Sequence, residues 1–168
     1  MHFILMFALT AFQAGASDPF SIQAELQGLY DEISQATFQF ATDLDIDEFH
    51  DVVYAPDWTL VDASGQRRTW PQVREQAVQA LAQPLPNAIW QRIQKLTLAP
   101  AGATATVESI VERTIVDADG HYGKKGASHS ITETTMFRDS WVNAGDRWKF
   151  KSREQLGQPK TLVDKPTY

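Results

Sequence analysis

Before Pro86 the apolar residues of this chain fall mainly at three- and four-residue steps, and beyond it mainly at every second residue. The first spacing belongs to helices with one buried stripe, the second to pleated strands with one buried face. A chain that places helices first and consecutive strands after them packs the helices onto one face of an antiparallel sheet, an α+β arrangement.

The strongest helical stripe runs from Ser21 to Thr42 through Ile22, Leu26, Leu29, Ile33, Ala36 and Phe40. Asp45 followed by Glu48 resembles a capping box, and Phe49, Val52 and Val53 give a short second helix stopped near Pro56. Asp57 to Gly65 then alternates as a strand, with Trp58, Leu60 and Asp62 on one face. Thr69-Trp70-Pro71-Gln72 starts a third helix, which ends before Pro84 and Pro86.

Four long strands follow: Ile89 to Leu98, Thr104 to Asp117, Ala127 to Val142 and Arg147 to Leu156. Gly120 to Gly126 is expected to be a mobile hairpin tip, and the residues after Gly157 have no period of their own. A four-residue loop from Asn143 to Asp146 sets Trp141 opposite Trp148, Asp139 opposite Phe150 and Glu133 opposite Leu156. In that register Phe137, Trp141, Trp148 and Phe150 share a face with Asp139, Glu133 and Glu154. Arg138, Ser140, Lys149, Lys151 and Arg153 take the other face.

Residues 1–16 are apolar from Phe3 to Phe12 and close on Ala14-Gly15-Ala16, the pattern of a signal peptide with a small-residue cleavage site. The chain is therefore expected to be exported, to a periplasm or out of the cell, with no membrane span after cleavage. Residues 17–156 form the domain and 157–168 a C-terminal tail. The full chain of 168 residues carries a net charge of -6 without a basic run, so nucleic acid is not an expected partner. It contains no cysteine, which excludes thiol chemistry and a disulfide-stapled scaffold.

The order of these elements, with "ATDLDIDEFHDVVYAPDWTLVDASG" and "FRDSWVNAGDRWKFKSREQL", resembles the nuclear transport factor 2-like superfamily and its SnoaL-like domains from about Ser21 to Leu156. The resemblance implies a cone-shaped barrel, a cystatin-like α+β roll in which a strongly curved, mainly antiparallel sheet wraps the long first helix. It also implies a pocket open at one end and frequent homodimers. Members include ketosteroid isomerases, polyketide cyclases and modules without chemistry, so the fold does not choose the function. "WTLVD" puts Asp62 at the position of the isomerase base. Gln35 stands where the isomerases have an oxyanion tyrosine. The second oxyanion acid falls at Arg138 without gaps and has Asp139 as its nearest candidate.

The residues themselves support Asp62 either as a desolvated proton-transfer group or as a turn residue satisfied by local amides. Asp139, Glu133 and Glu154 are inward acids that need partners, for which Arg92, Arg113 and His129 are available. Tyr30, Tyr54, Trp58, Trp90, Phe137 and Trp141 either line an apolar pocket or form plain core. His50, His121 and His129 lack metal-ligand spacing. Asp43, Asp45 and Asp47 imitate a calcium loop, yet Glu48 and Tyr54 occupy its glycine and final glutamate positions. No metal or cofactor is called for. Three functions follow: capture of a small, largely apolar molecule; an isomerase, cyclase or dehydratase using Asp62; or a structural dimerisation domain.

Overall fold

The computed structural model describes residues 18–82, 86–100, 102–117 and 129–163. The expected signal peptide and the expected hairpin tip lie outside the described residues. Three helices, α1 (Pro19–Ala36), α2 (Asp43–Val53) and α3 (Trp70–Ala80), pack with seven strands: β1 (Tyr54–Val61), β2 (Arg67–Thr69), β3 (Ala88–Leu98), β4 (Thr104–Asp117), β5 (His129–Asn143), β6 (Trp148–Gln155) and β7 (Lys160–Val163). The strands make one curled, unclosed sheet in the order β2-β1-β6-β5-β4-β3, with β7 added to β5. Every pairing is antiparallel except β1 with β6. This is the expected α+β roll around the first helix.

Ile22, Leu26 and Tyr30 of α1 enter a core with Trp58, Ala105, Val107, Trp141, Trp148 and Phe150. These positions obey the four-residue step on the helix and the two-residue step on each strand. Gln27 ties the helix to the sheet: its Nε2 donates to the Gln91 carbonyl at 2.8 Å and its Oε1 accepts from the Ile93 amide at 3.1 Å. Because β3 is an end strand, these bonds also satisfy groups that would otherwise lie open on its edge.

The first helix stops at Ala36, six residues before the expected end, because the chain turns at Thr37 to Gln39 before α2. The capping box of α2 is Thr42 with Asp45 rather than Asp45 with Glu48: Asp45 Oδ2 accepts from the Thr42 amide at 2.8 Å. Asp43 and Asp47 both face Arg74, whose Nε lies 2.6 Å from Asp47, so the calcium-like aspartates cap α2 and join it to α3. The third helix starts as expected, with the Gln72 side chain accepting from the Thr69 amide at 2.9 Å.

Two departures from the expected sheet matter for the interior. Trp148 lies opposite Asn143 and Phe150 opposite Trp141, so the last hairpin is shifted by two residues and keeps its faces. A bulge at Lys151 then makes Ser152, not Lys151, the partner of Ser140. One extra residue reverses the sides of everything after it. Arg153 therefore turns inward opposite Asp139, and Glu154 turns outward opposite Arg138, where the pair is 3.2 Å apart. Residues 160–163, expected in the tail, instead pair with Ile131 to Thr134 after a turn at Gly157, whose φ of 83° suits a residue without a Cβ.

Candidate functional site

On β4 and β5 the inward positions change character along the strand. Ala105, Val107 and Ser109 are buried, as are Asp139 and Trp141. Beyond that rung, inward Val111, Thr135, Phe137 and Glu133 are only half-buried, and Arg113 is exposed. Among the described residues, α1 thus covers the first part of the concave face, and the stretch from Phe137 to Glu133 is left half-covered before Ile131 is buried again.

The boundary between the two parts is a buried polar cluster. Arg153 donates to Asp139 through Nε at 2.9 Å and Nη2 at 2.8 Å, the two-bond geometry in which a guanidinium best matches a carboxylate. Asp139 Oδ2 also accepts from the Tyr30 hydroxyl at 2.7 Å, from Gln91 at 3.2 Å and from Ser109 at 3.2 Å. Trp141 Nε1 in turn donates to the Tyr30 oxygen at 3.0 Å. The carboxylate is 0% exposed and accepts five bonds, four at Oδ2 and one at Oδ1, so it is both paired and shut away from a ligand on the concave face.

Burial opposes the charge of Arg153, but the adjacent Asp139 outweighs it and holds the guanidinium above its ordinary pKa. Burial first, and then the charge of Asp139, pushes the Tyr30 phenol well above the usual range. The Arg153 guanidinium carbon lies 4.4 Å from the Phe137 ring centre and 5.0 Å from that of Phe150, so two aromatic faces flank the cation. Tyr54 lies against the same Phe150, with ring centres 5.3 Å apart, and burial pushes its phenol up to about 12. Among the described residues, neither the Tyr54 hydroxyl nor Arg153 Nη1 has a hydrogen-bond partner.

Asp62 lies elsewhere, at the lip formed by β1 and β2. Strand parity carries it onto the Trp58 and Leu60 face, and Arg68, which stands opposite Leu60, pairs with it at 2.8 Å. Its Oδ1 accepts from the Ser64 hydroxyl at 2.5 Å and from the Ser64 and Gln66 amides at 2.9 and 3.0 Å. Those bonds, the Ser64 hydroxyl foremost, together with Arg68 hold the carboxyl below the usual aspartate range. Asp62 is thus the turn residue satisfied by local donors, and a lowered pKa makes it a weaker base than a free aspartate.

The other anticipated residues divide between the two faces. Tyr30, Trp58 and Trp141 are core, Tyr54 packs against that core beside Phe150, and Phe137 lies half-buried on the concave face. Trp90 points outward opposite Glu112 and is 59% exposed, and Glu154 is outward as well, so neither reaches the concave face. Glu133 lies inward opposite Arg113 in the half-covered stretch.

His50, notable in sequence only for lacking metal-ligand spacing, is buried between Trp70 at 3.9 Å and Tyr54 at 5.2 Å, centre to centre. Burial lowers its pKa although Asp51, 3.4 Å from Nδ1, favours the cation. Among the described residues, His50 Nε2 and Trp58 Nε1 are buried without a partner, a cost of about 1–3 kcal/mol each. Both rings adjoin Tyr54 and Trp70.

No family model matches the chain, and no curated relative matches it. Solved structures do. Aln2 from a Streptomyces species aligns with a TM-score of 0.59 at 19% identity, over 82% of this chain and 91% of that one. A type 2 hexachlorocyclohexane dehydrochlorinase (LinA) aligns with 0.55 at 11% identity, over 89% and 94%. A conserved protein from Planctomyces limnophilus aligns with 0.59 at 10% identity, over 84% and 99%. The chain has the nuclear transport factor 2-like, SnoaL-like cone fold. At these identities the likeness concerns the fold.

Proposed function

We propose that this domain captures a small, largely apolar molecule in the half-covered part of its concave sheet, without covalent chemistry. The change of covering at the Asp139 and Arg153 rung carries this assignment. There the aromatic core gives way to half-buried Phe137, Val111 and Thr135, while the Tyr54 hydroxyl and Arg153 Nη1 remain without partners among the described residues. An apolar wall with a few fixed donors at its end is the usual make-up of a small-molecule site.

General-base chemistry at Asp62, as an isomerase, cyclase or dehydratase would need, is opposed by its pairing to Arg68 and its lowered pKa. Asp139 does not replace it, since it is fully buried and paired with Arg153. The LinA neighbour is described as a dehydrochlorinase, and a comparable elimination in this chain would need a base other than these two.

Calorimetry with 2-naphthol and 1-tetralone as probes tests capture. Saturable binding is expected, with the negative heat-capacity change that burial of apolar surface produces. Phe137→Glu is expected to abolish it while leaving the circular-dichroism spectrum unchanged. Absence of saturation with both probes would favour a domain that only dimerises.

We further propose a homodimer through the outer sheet face. Trp90, Val116, Met136 and Leu162 are 59%, 42%, 41% and 64% exposed there. Their strand parity places all four on the convex side. Sedimentation at micromolar concentration is expected to give a dimer, and Met136→Glu a monomer; a monomeric natural chain would refute this. We also propose export with cleavage after Ala16. Amino-terminal sequencing of the exported protein is then expected to begin at Ser17, and recovery of the uncleaved chain in the cytosol would contradict it.

A further inference from the structure

We propose a second binding site, separate from the concave face, that takes a small organic cation: an ammonium group on a short aromatic or aliphatic body. It lies on the outside of the helix pair, in a groove of about 460 Å³ between the end of α1 and α2. This volume falls within the range of small-molecule sites.

Glu32, Gln35 and Gln39 line the groove from the α1 side, and Glu48, Phe49 and Val52 from α2. Phe40 forms its floor with Phe49, the two rings meeting edge to face at 5.3 Å. The groove therefore offers an apolar, π-rich base and lining side chains whose charges are all acidic, with the cations Lys149 and Arg147 just outside it, at the Val52 carbonyl and at Glu32. A cation over such a base gains from the ring quadrupole as well as from the carboxylates.

The acids differ in how free they are. Asp45 is committed to the Ala41 and Thr42 amides at 3.0 and 2.8 Å. Glu32 has the Arg147 guanidinium 3.9 Å away. Among the described residues Glu48 has no ionic or hydrogen-bonded partner and lies at the rim, so its carboxylate is available to an ammonium group. The Gln35 and Gln39 side-chain carbonyls, also without partners there, supply acceptors for the remaining N–H bonds.

The dimensions select the occupant. The lining positions run from Glu32 to Ala36 on α1, about 6 Å of helix, and from Asp45 to Val52 on α2, about 10 Å, at 1.5 Å per residue. Those lengths suit a molecule of two or three groups and are less than a docked amphipathic helix normally covers. Because the rim is solvated, the attraction is modest and screened by salt.

The probe is 2-phenylethylammonium, with 2-phenylethanol as its neutral counterpart, titrated into the full chain at about 20 mM salt while amide shifts are followed by NMR. Saturating shifts are expected at the groove residues of α1 and α2, with 2-phenylethanol binding at least about fivefold more weakly. Glu48→Gln is expected to weaken the ammonium about two- to fivefold, and about 300 mM salt to do so comparably. Equal binding of the two probes, shifts confined to the concave face, or insensitivity to Glu48→Gln would overturn the site. Groove shifts that change on dilution without probe would mean that a second copy covers it, and would overturn it too. None of these outcomes bears on 2-naphthol, so this site and the concave one fail separately.

Discussion

Asp139→Asn is expected to lower the unfolding free energy by about 3–5 kcal/mol, the usual cost of leaving one member of a buried ion pair uncompensated. The amide is nearly the size of the carboxylate, so the loss is not one of volume. It arises because Arg153 keeps its charge inside two aromatic faces while the group that balanced it becomes neutral. One amide nitrogen would also confront donors, Tyr30, Gln91 and Ser109, that now all point at Oδ2. Ordinary domains are stable by only about 5–15 kcal/mol, so this substitution consumes much of the margin. Urea titration should show an earlier midpoint with an unchanged slope. A loss below about 1 kcal/mol would mean that Arg153 escapes to water when unpaired, and that the pair is not the fixed floor of the concave face.

Trp141→Ala is expected to cost about 3–5 kcal/mol as well, by a different route. Trp141 is 0% exposed, stacks on Phe150 at 4.6 Å and meets Tyr30 edge on at 5.3 Å. Its removal leaves a cavity between α1 and the sheet and takes away the donor to the Tyr30 oxygen. Trp141→Phe retains most of the contact but not the N–H, and should fall at about 1–2 kcal/mol, within the range for a lost buried hydrogen bond. Thermal unfolding of the two variants separates packing from hydrogen bonding. Equal losses would mean that the Tyr30 bond, rather than ring volume, dominates this part of the core.

Much of the architecture could be read from periodicity because periodicity records burial. Ile22, Leu26 and Tyr30 enter the core at the step that marks the first helix, and Thr69 with Gln72 opens the third where their spacing predicts. Strand β7 is not readable, since all four of its residues are exposed and its place is set by backbone pairing with β5. The bulge at Lys151 is equally silent. Lys151-Ser152-Arg153-Glu154 is polar throughout, so no apolar alternation marks the residue at which the faces exchange.

That one residue decides which charges face inward. Without the bulge, Glu154 is an inward acid and Arg153 a surface base; with it, Arg153 becomes the partner that the buried Asp139 required. Inward acids must be neutralised on physical grounds, but those grounds do not say by whom. Asp62 illustrates the converse. Its strand parity is legible in the alternation of Trp58 and Leu60, yet the adjoining Ser64-Gly65-Gln66 turn and Arg68 decide its chemistry. His50 shows no pattern in sequence because its environment comes from Tyr54 and Trp70, which three-dimensional packing brings to its two ring faces.

Whether the half-covered part of the concave sheet holds the ligand can be read from intermolecular NOEs between bound 2-naphthol and the protein. Contacts are expected to the methyl groups of Val111 and Thr135 and to the Phe137 ring. Contacts only to α2 or to the convex face, with none to these three residues, would contradict the assignment.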